Sequence, residues 1–233
     1  LLYMYCKVRT RAVFAAVVLI GYSLLMYLVV APDAPDGTDP LSVAGNIAGW
    51  VDRQWLPGTF ACGSFDPEGL LSTLPAIVSA LFGMFTGEFL LRKRSSLSGE
   101  QIALCMALAA VAITVIGIIW NCWIPINKKL WSSSFTCVVT GYSLGLFALF
   151  YYLIDVRGWK RWTFFFRVIG LNSITIYLAQ RIVGFGGIAN FFFGGAASHC
   201  PEAIARVISN AGYVAICWLF LYFLYRKSTF LKV

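Results

Sequence analysis

The sequence predicts an all-α, polytopic transmembrane helical bundle of about six spans, and three observations carry that reading. Apolar residues make up 60% of the 233-residue chain and charged residues only 12%, against roughly 25% charged in an ordinary soluble domain. The mean hydropathy is +0.79. The apolar residues also gather into long runs, close to the ~20 residues that a helix needs to cross a ~30 Å hydrocarbon core.

Six such segments run from Ala12 to Ala31, Leu70 to Leu91, Ile102 to Trp120, Phe135 to Ile154, Phe164 to Val183 and Val207 to Tyr225. Backbone polar groups in lipid must pair internally, so each is read as a helix. Lys7, Arg9 and Arg11 precede the first span, and Arg92, Lys93 and Arg94 follow the second. Arg157, Lys160, Arg161 and Arg167 flank the fourth and fifth, and Arg226, Lys227 and Lys232 follow the sixth. Only Arg53, Lys128, Lys129, Arg181 and Arg206 fall on the other side. The positive-inside rule therefore puts both ends of the chain in the cytoplasm. The net charge of +8 records this orientation, and no nucleic acid partner is expected.

No Met opens the chain and charged residues precede the first apolar run, so residues 1–233 are read as the C-terminal part of a single membrane domain, not as a signal peptide and its cargo. Residues 32–69 form an external loop, in which Ile47 to Leu56 suits a short interfacial helix with Trp50 and Trp55 at headgroup depth. There is no internal repeat or low-complexity linker.

The seven cysteines show no metal-ligand spacing, so no metal site is expected. Cys62, Cys122 and Cys200 fall outside the spans, where an oxidising compartment permits a disulfide, but no pairing can be read from their positions. The single histidine, His199, sits in an external loop with no carboxylate nearby in sequence and is read as solvated.

Three polar clusters stand where loops enter spans or inside one. Asp66-Pro67-Glu68-Gly69, followed by Ser72 and Pro75, reads either as a helix start, with Pro67 in the first turn, or as a site, with Glu68, Ser72 and Pro75 at three- or four-residue steps on one face. Acidic groups suit the positive end of a helix dipole, while a proline inside the membrane frees a carbonyl. Asn127-Lys128-Lys129-Leu130-Trp131-Ser132 places two lysines against the charge trend, either as a polar cap with an aromatic belt residue or as an anion-binding entry. Gly170-Leu171-Asn172-Ser173 sets an amide at membrane depth, where it serves as glue between helices or as a ligand group.

In this order and spacing, the clusters resemble the heparan-alpha-glucosaminide N-acetyltransferase family and its bacterial relatives. The stretches that carry the resemblance are Asp66 to Glu88, Pro125 to Ser134, Leu153 to Gly158, Phe165 to Tyr177 and Tyr225-Arg226-Lys227. The resemblance implies a multi-pass enzyme, here of a bacterial inner membrane, that carries the acetyl group of cytosolic acetyl-CoA to the amino group of a hexosamine on the far side. It implies a glycan or amino-sugar acceptor, contact with membrane lipid and room for a homodimer. The family's catalytic histidine lies upstream of the matched region and His199 does not correspond to it, so this segment alone is expected to be inactive. Asp66, Glu68, Asn127, Lys128, Trp131, Ser132 and Asn172 are the residues expected to bind substrate or cofactor. Where the family's lysosomal enzyme has a His-Glu pair, this chain has Gln180-Arg181, and its Phe-rich Gly184 to Gly195 segment also departs from that enzyme.

A transporter for a small sugar or anion is the alternative, because polar residues beside interrupted helices also describe a substrate path. A structural subunit without chemistry is the third. The orientation is tested by thiol labelling in intact cells after replacement of Cys62, Cys122 and Cys200. A cysteine placed beside Arg94 should be shielded from an impermeant reagent, and one at Gly37 should react. The reverse pattern overturns the assignment of sides.

Overall fold

The computed structural model describes residues 2–60 and 62–231; Lys232, counted above among the inside charges, lies outside the described residues. The regular elements are helical: α1 (Leu2–Tyr5), α2 (Val8–Leu28), α3 (Ile47–Trp55), α4 (Thr73–Lys93), α5 (Gly99–Trp120), α6 (Ser133–Tyr151), α7 (Thr163–Leu171), α8 (Ser173–Ile182), α9 (Phe185–Ser198) and α10 (Glu202–Arg226). A π-helical turn over Tyr152–Val156 extends α6. The chain divides into two compact units, Leu1–Gly158 and Trp159–Val233.

Local chemistry sets several of the helix starts. Ser98 Oγ accepts the Gln101 N–H at 3.2 Å while Gln101 Oε1 accepts the Ser98 N–H at 2.9 Å. This capping box opens α5 and satisfies amides that a helix start leaves unpaired. Asn46 caps α3 by accepting the Gly49 N–H at 2.6 Å. α4 begins at Thr73, later than the Pro67 start that the sequence suggests. Pro75 then falls in the first turn, where its nitrogen owes no intrahelical bond, and the Leu71 carbonyl is taken by the Leu74 N–H at 3.1 Å. No carbonyl is freed at membrane depth, and Glu68, Ser72 and Pro75 do not share one helical face.

In the first unit α2, α4, α5 and α6 alternate in direction. Ala15 and Leu19 of α2 pack with Val78 and Leu81 of α4, and Ile102 and Met106 of α5 pack with Ala148 of α6. α5 and α6 approach most closely at Gly141, where an added Cβ would lie 2.0 Å from Thr114 Oγ1 and 2.8 Å from the Ala110 carbonyl oxygen. Small residues let helix backbones meet in a membrane, where lipid competes on equal terms with apolar side chains. The outer faces are apolar as well. On α2, Val13, Val17, Ile20 and Leu24 are exposed while Ala15, Leu19, Tyr22 and Met26 are buried. A helix apolar on both faces needs lipid on one of them, and the protein is an integral, multi-pass membrane protein.

The second unit corrects the expected fifth span. The segment from Phe164 to Val183 is not one helix, because Asn172 (φ −133°, ψ 33°) breaks it into α7 and α8. Phe164 lies against Trp218, Tyr222 and Tyr225 of α10, and Asn172 Nδ2 donates to the Thr229 carbonyl at 3.3 Å. α7 thus runs beside the end of α10 in the same direction, whereas consecutive crossings would run in opposite directions. α9 packs antiparallel to α10, with Phe185 beside Phe220 and Phe193 against Gly212. Among the described residues, five helices are long and apolar enough to cross a membrane, or six if α8 and α9, bent by 81°, make one broken crossing.

The α5–α6 seam predicts opposite fates for two glycines. Gly141→Ala should destabilise the protein by about 1–3 kcal/mol, the usual range for overpacking. Gly83→Ala, at a position with nothing within 4 Å of the new Cβ, should be neutral or stabilising by up to about 1 kcal/mol. Thermal unfolding in detergent reads both, and equal melting temperatures would contradict the close seam.

Candidate functional site

The polar residues at the loop end of the first unit are fixed by hydroxyl groups. Tyr22 on α2 donates its OH to the Leu130 carbonyl at 2.6 Å, and Ser133 at the start of α6 donates to the Leu19 carbonyl at 2.7 Å. Between these anchors Ser132 closes the turn. Its Oγ donates to the Pro125 carbonyl at 2.8 Å, accepts the Asn127 N–H at 3.1 Å and the Phe135 N–H at 3.3 Å, and lies 3.0 Å from Ser134 Oγ. That hydroxyl is buried and already engaged. Asn127 Oδ1 accepts the Lys129 N–H at 2.9 Å, and the Lys128 side chain is exposed.

Trp131 sits at φ 49°, a left-handed conformation that bulky residues rarely adopt. The strain turns its indole toward α4, where Nε1 donates to Ser79 Oγ at 3.4 Å, and its ring meets Phe135 edge-on at 5.4 Å. Ser79 and Trp131 are 52 residues apart in sequence, so only the folded bundle brings them together.

The second acidic entry is held from α3. Asp52, 1% exposed, accepts the Leu70 N–H at 3.0 Å and, more weakly, the Asp66 N–H at 3.4 Å. An added Cβ on Gly69 would lie 2.1 Å from the Asp52 carboxylate, so only glycine permits this approach. Asp66 Oδ1 accepts the Glu68 N–H at 2.9 Å, and the Glu68 side chain is exposed, with no hydrogen bond or ion pair among the described residues. Glu68 lies in a turn ahead of α4 and caps nothing. The sequence marks Asp52 only as one more external charge; its role depends on a contact across 18 residues that α3 creates.

Asn172 stands apart, in the second unit. It is 2% exposed, and its Oδ1 accepts the Thr175 hydroxyl at 3.3 Å while Nδ2 holds Thr229. His199 ends α9 with Nδ1 2.7 Å from the Gly195 carbonyl oxygen, and it is exposed. Cys62, Cys122 and Cys200 are free thiols.

A groove between α4 and α6 begins at the serine that holds Trp131. It encloses about 350 Å³ and carries Ser79, Gly83, Thr86 and Gly87 on one wall and Thr140 and Ser143 on the other. A cavity of about 210 Å³ that reaches Cys105 and Met106 shares Phe82, Thr86, Thr140 and Leu144 with it. Nothing lies within 4 Å of a Cβ built on Gly83 or Gly87, so the α4 wall there is bare backbone. The signal was present in the sequence as small and hydroxyl residues recurring at helical spacing along α4, but such a stripe alone also reads as packing.

The chain is 29% identical over 211 residues to the heparan-alpha-glucosaminide N-acetyltransferases of Mus musculus and of Homo sapiens. The match covers 81% of this chain and 30% of each relative, so the chain spans less than a third of their length. No protein-family model matches it. Over the matched stretch the chain is similar to these two acetyltransferases.

The structure ties Trp131 to α4 and Ser133 to α2, holds Ser132 in the turn between them, and sets Asp66 and Glu68 on a turn locked by Asp52. Asp52→Ala should leave the part-buried Asp66 and Leu70 N–H groups without their acceptor, at a cost of about 1 kcal/mol, and loosen the 66–70 turn. Limited proteolysis should then cut within 66–70 while α4 and α6 stay protected. An unchanged cleavage pattern would show that Asp52 does not hold the turn.

Proposed function

We propose that this chain contributes the acceptor site and part of the donor path of a transmembrane acetyltransferase. It moves the acetyl group of acetyl-CoA to the amino group of a hexosamine or related sugar across the membrane. The groove running along α4 from Trp131 and Ser79 carries this reading. From Ser79 to Gly87 it follows eight residues of helix, about 12 Å, a length suited to part of an extended, amide-bearing thioester arm. Its hydroxyls retain acceptor lone pairs, since Ser79 Oγ donates to the Pro75 carbonyl at 3.3 Å and Thr86 Oγ1 to the Phe82 carbonyl at 2.9 Å. Relatedness to the acetyltransferases supports the same reaction.

In the reaction the sugar nitrogen bonds to the acetyl carbon, the carbon–sulfur bond of the thioester breaks, CoA leaves as the thiol and a base takes the amine proton. Glu68, exposed and unpaired, binds the sugar ammonium, with Asp66 beside it. Asn127 and Lys128 offer donors to sugar hydroxyls or to a carboxylate, and Trp131 supplies an aromatic face. Ser132 positions the turn that carries them. Asn172 acts in the second unit by shaping the helix break. The base is the histidine that the family carries upstream, so residues 1–233 alone transfer nothing. On the resemblance to bacterial relatives, the membrane is the bacterial inner membrane, with Arg92–Arg94 facing the cytoplasm.

A transporter for a small sugar or anion is the second reading, favoured by the break at Asn172 and the 81° bend between α8 and α9. The complete reading frame in vesicles separates the two, because an acetyltransferase consumes acetyl-CoA only when an amino sugar is present on the opposite face. Gly83→Leu should abolish that consumption by filling the groove while thermal stability is kept, since leucine is favoured over glycine in a helix by roughly 0.5–1 kcal/mol. Glu68→Gln should raise the sugar KM by about tenfold, the order expected for losing one charge-assisted hydrogen bond. Full activity in both variants, or accumulation of unmodified sugar without acetyl-CoA, would defeat the enzyme reading.

A further inference from the structure

At the opposite end of the first unit from Trp131, α2 and α4 enclose a group of charges that the reaction above leaves unused. Arg11 is 4% exposed and donates through Nη2 to Glu88 Oε2 at 2.9 Å. Arg92, one turn along α4, pairs with the other carboxylate oxygen of Glu88. Two guanidinium groups therefore share one carboxylate, and the cluster keeps a positive charge. Arg11 Nε and Nη1 are buried and have no hydrogen-bond partner among the described residues. The Tyr3 ring covers one face of the guanidinium at 4.6 Å, and Phe85 lies at 5.8 Å. A buried, part-paired arginine is costly unless an anion completes it.

A cavity of about 250 Å³ opens beside this cluster, lined by Val8, Ala12, Phe85, Glu88, Phe89 and Arg92. Phe85 and Glu88, which wall it, also border the Arg11 guanidinium. Val8 is the first residue of α2, a helix with no acidic residue in its first turn and no side-chain cap at Lys7. Its free N-terminal amides and the positive end of its dipole favour an anion at the same mouth. Arg92 is 68% exposed and keeps unused donors facing outward. The remainder of the lining is apolar.

We infer that this cavity binds one anionic phospholipid, its phosphate between Arg92 and the start of α2, its acyl chain along Val8, Ala12 and Phe89. The charge selects the anion: a +1 cluster backed by Lys7, Arg9 and Lys93 at the same end attracts acidic headgroups, whose net charge zwitterionic ones lack. The apolar walls select a lipid over a soluble phosphate. Arg11 acts from behind the wall as the fixed positive charge that Glu88 alone does not neutralise.

The full reading frame, purified and exchanged into detergent with phosphatidylglycerol or with phosphatidylcholine of the same chains, tests this. Native mass spectrometry should show one retained phosphatidylglycerol, and melting should rise with that lipid and not with phosphatidylcholine. Arg92→Gln should weaken retention about tenfold, as expected for losing one charge-assisted hydrogen bond. Arg94→Gln removes the same charge outside the cavity and should leave retention unchanged. Ala12→Phe fills the cavity without altering charge and should also expel the lipid; Ala12 is exposed, so the fold is retained. Equal effects of Arg92→Gln and Arg94→Gln, equal stabilisation by both lipids, or the same rise produced by inorganic phosphate or CoA alone would each overturn the assignment. The outcome is independent of whether acetyl transfer is observed.

Discussion

Two hydroxyl-to-carbonyl bonds, Tyr22 to Leu130 and Ser133 to Leu19, hold the candidate site together. A carbonyl in a helix has a second lone pair, so α2 accepts a bond at Leu19 without losing its own ladder. The bonds run in opposite senses, one from α2 to the loop and one from α6 to α2. Together they fix both the height and the rotation of the 121–132 connection. Trp131 can then be held in a strained backbone conformation, because the residues on either side have nowhere else to go. Without that restraint the indole would have no reason to reach Ser79, the residue at which the groove along α4 begins.

The same economy explains the acidic turn. The part-buried Asp66 and Leu70 amides of this turn need an acceptor, and Asp52 provides it from α3. Gly69 is the matching concession on the other side of the contact. The arrangement leaves Glu68 free of structural duty, which distinguishes it from Asp66, whose side chain shapes the turn, and from Ser132, whose hydroxyl is fully engaged. Glu68 and Lys128 are both exposed, and among the described residues neither side chain has a hydrogen bond or ion pair.

The bundle was legible in the sequence because span length and charge are set by the membrane and need no knowledge of partners. Five of six segments were recovered to within a few residues of their ends. The segment beginning at Phe164 was not, since hydropathy averaged over a window does not register one residue that breaks a helix, and Asn172 does so while its amide bonds the Thr229 carbonyl. The polar clusters were visible as residue types, but the partition of duties within them was not. Asp52 and Ser79 each act through contacts that exist only after distant segments meet, and Pro75 changes meaning once α4 is seen to begin two residues before it.

The Arg11–Glu88 pair also has a bearing on how the chain is made. Its partners are separated by 77 residues, which at a synthesis rate of ~5–20 residues per second is about 4–15 s of translation. For that interval the Arg11 guanidinium has no carboxylate to pair with, and an unpaired arginine at the end of an apolar helix keeps its charge among headgroups or in water. The pair closes only when the second helix of the hairpin arrives, so the length of the intervening chain sets the earliest moment at which this end of α2 can be buried.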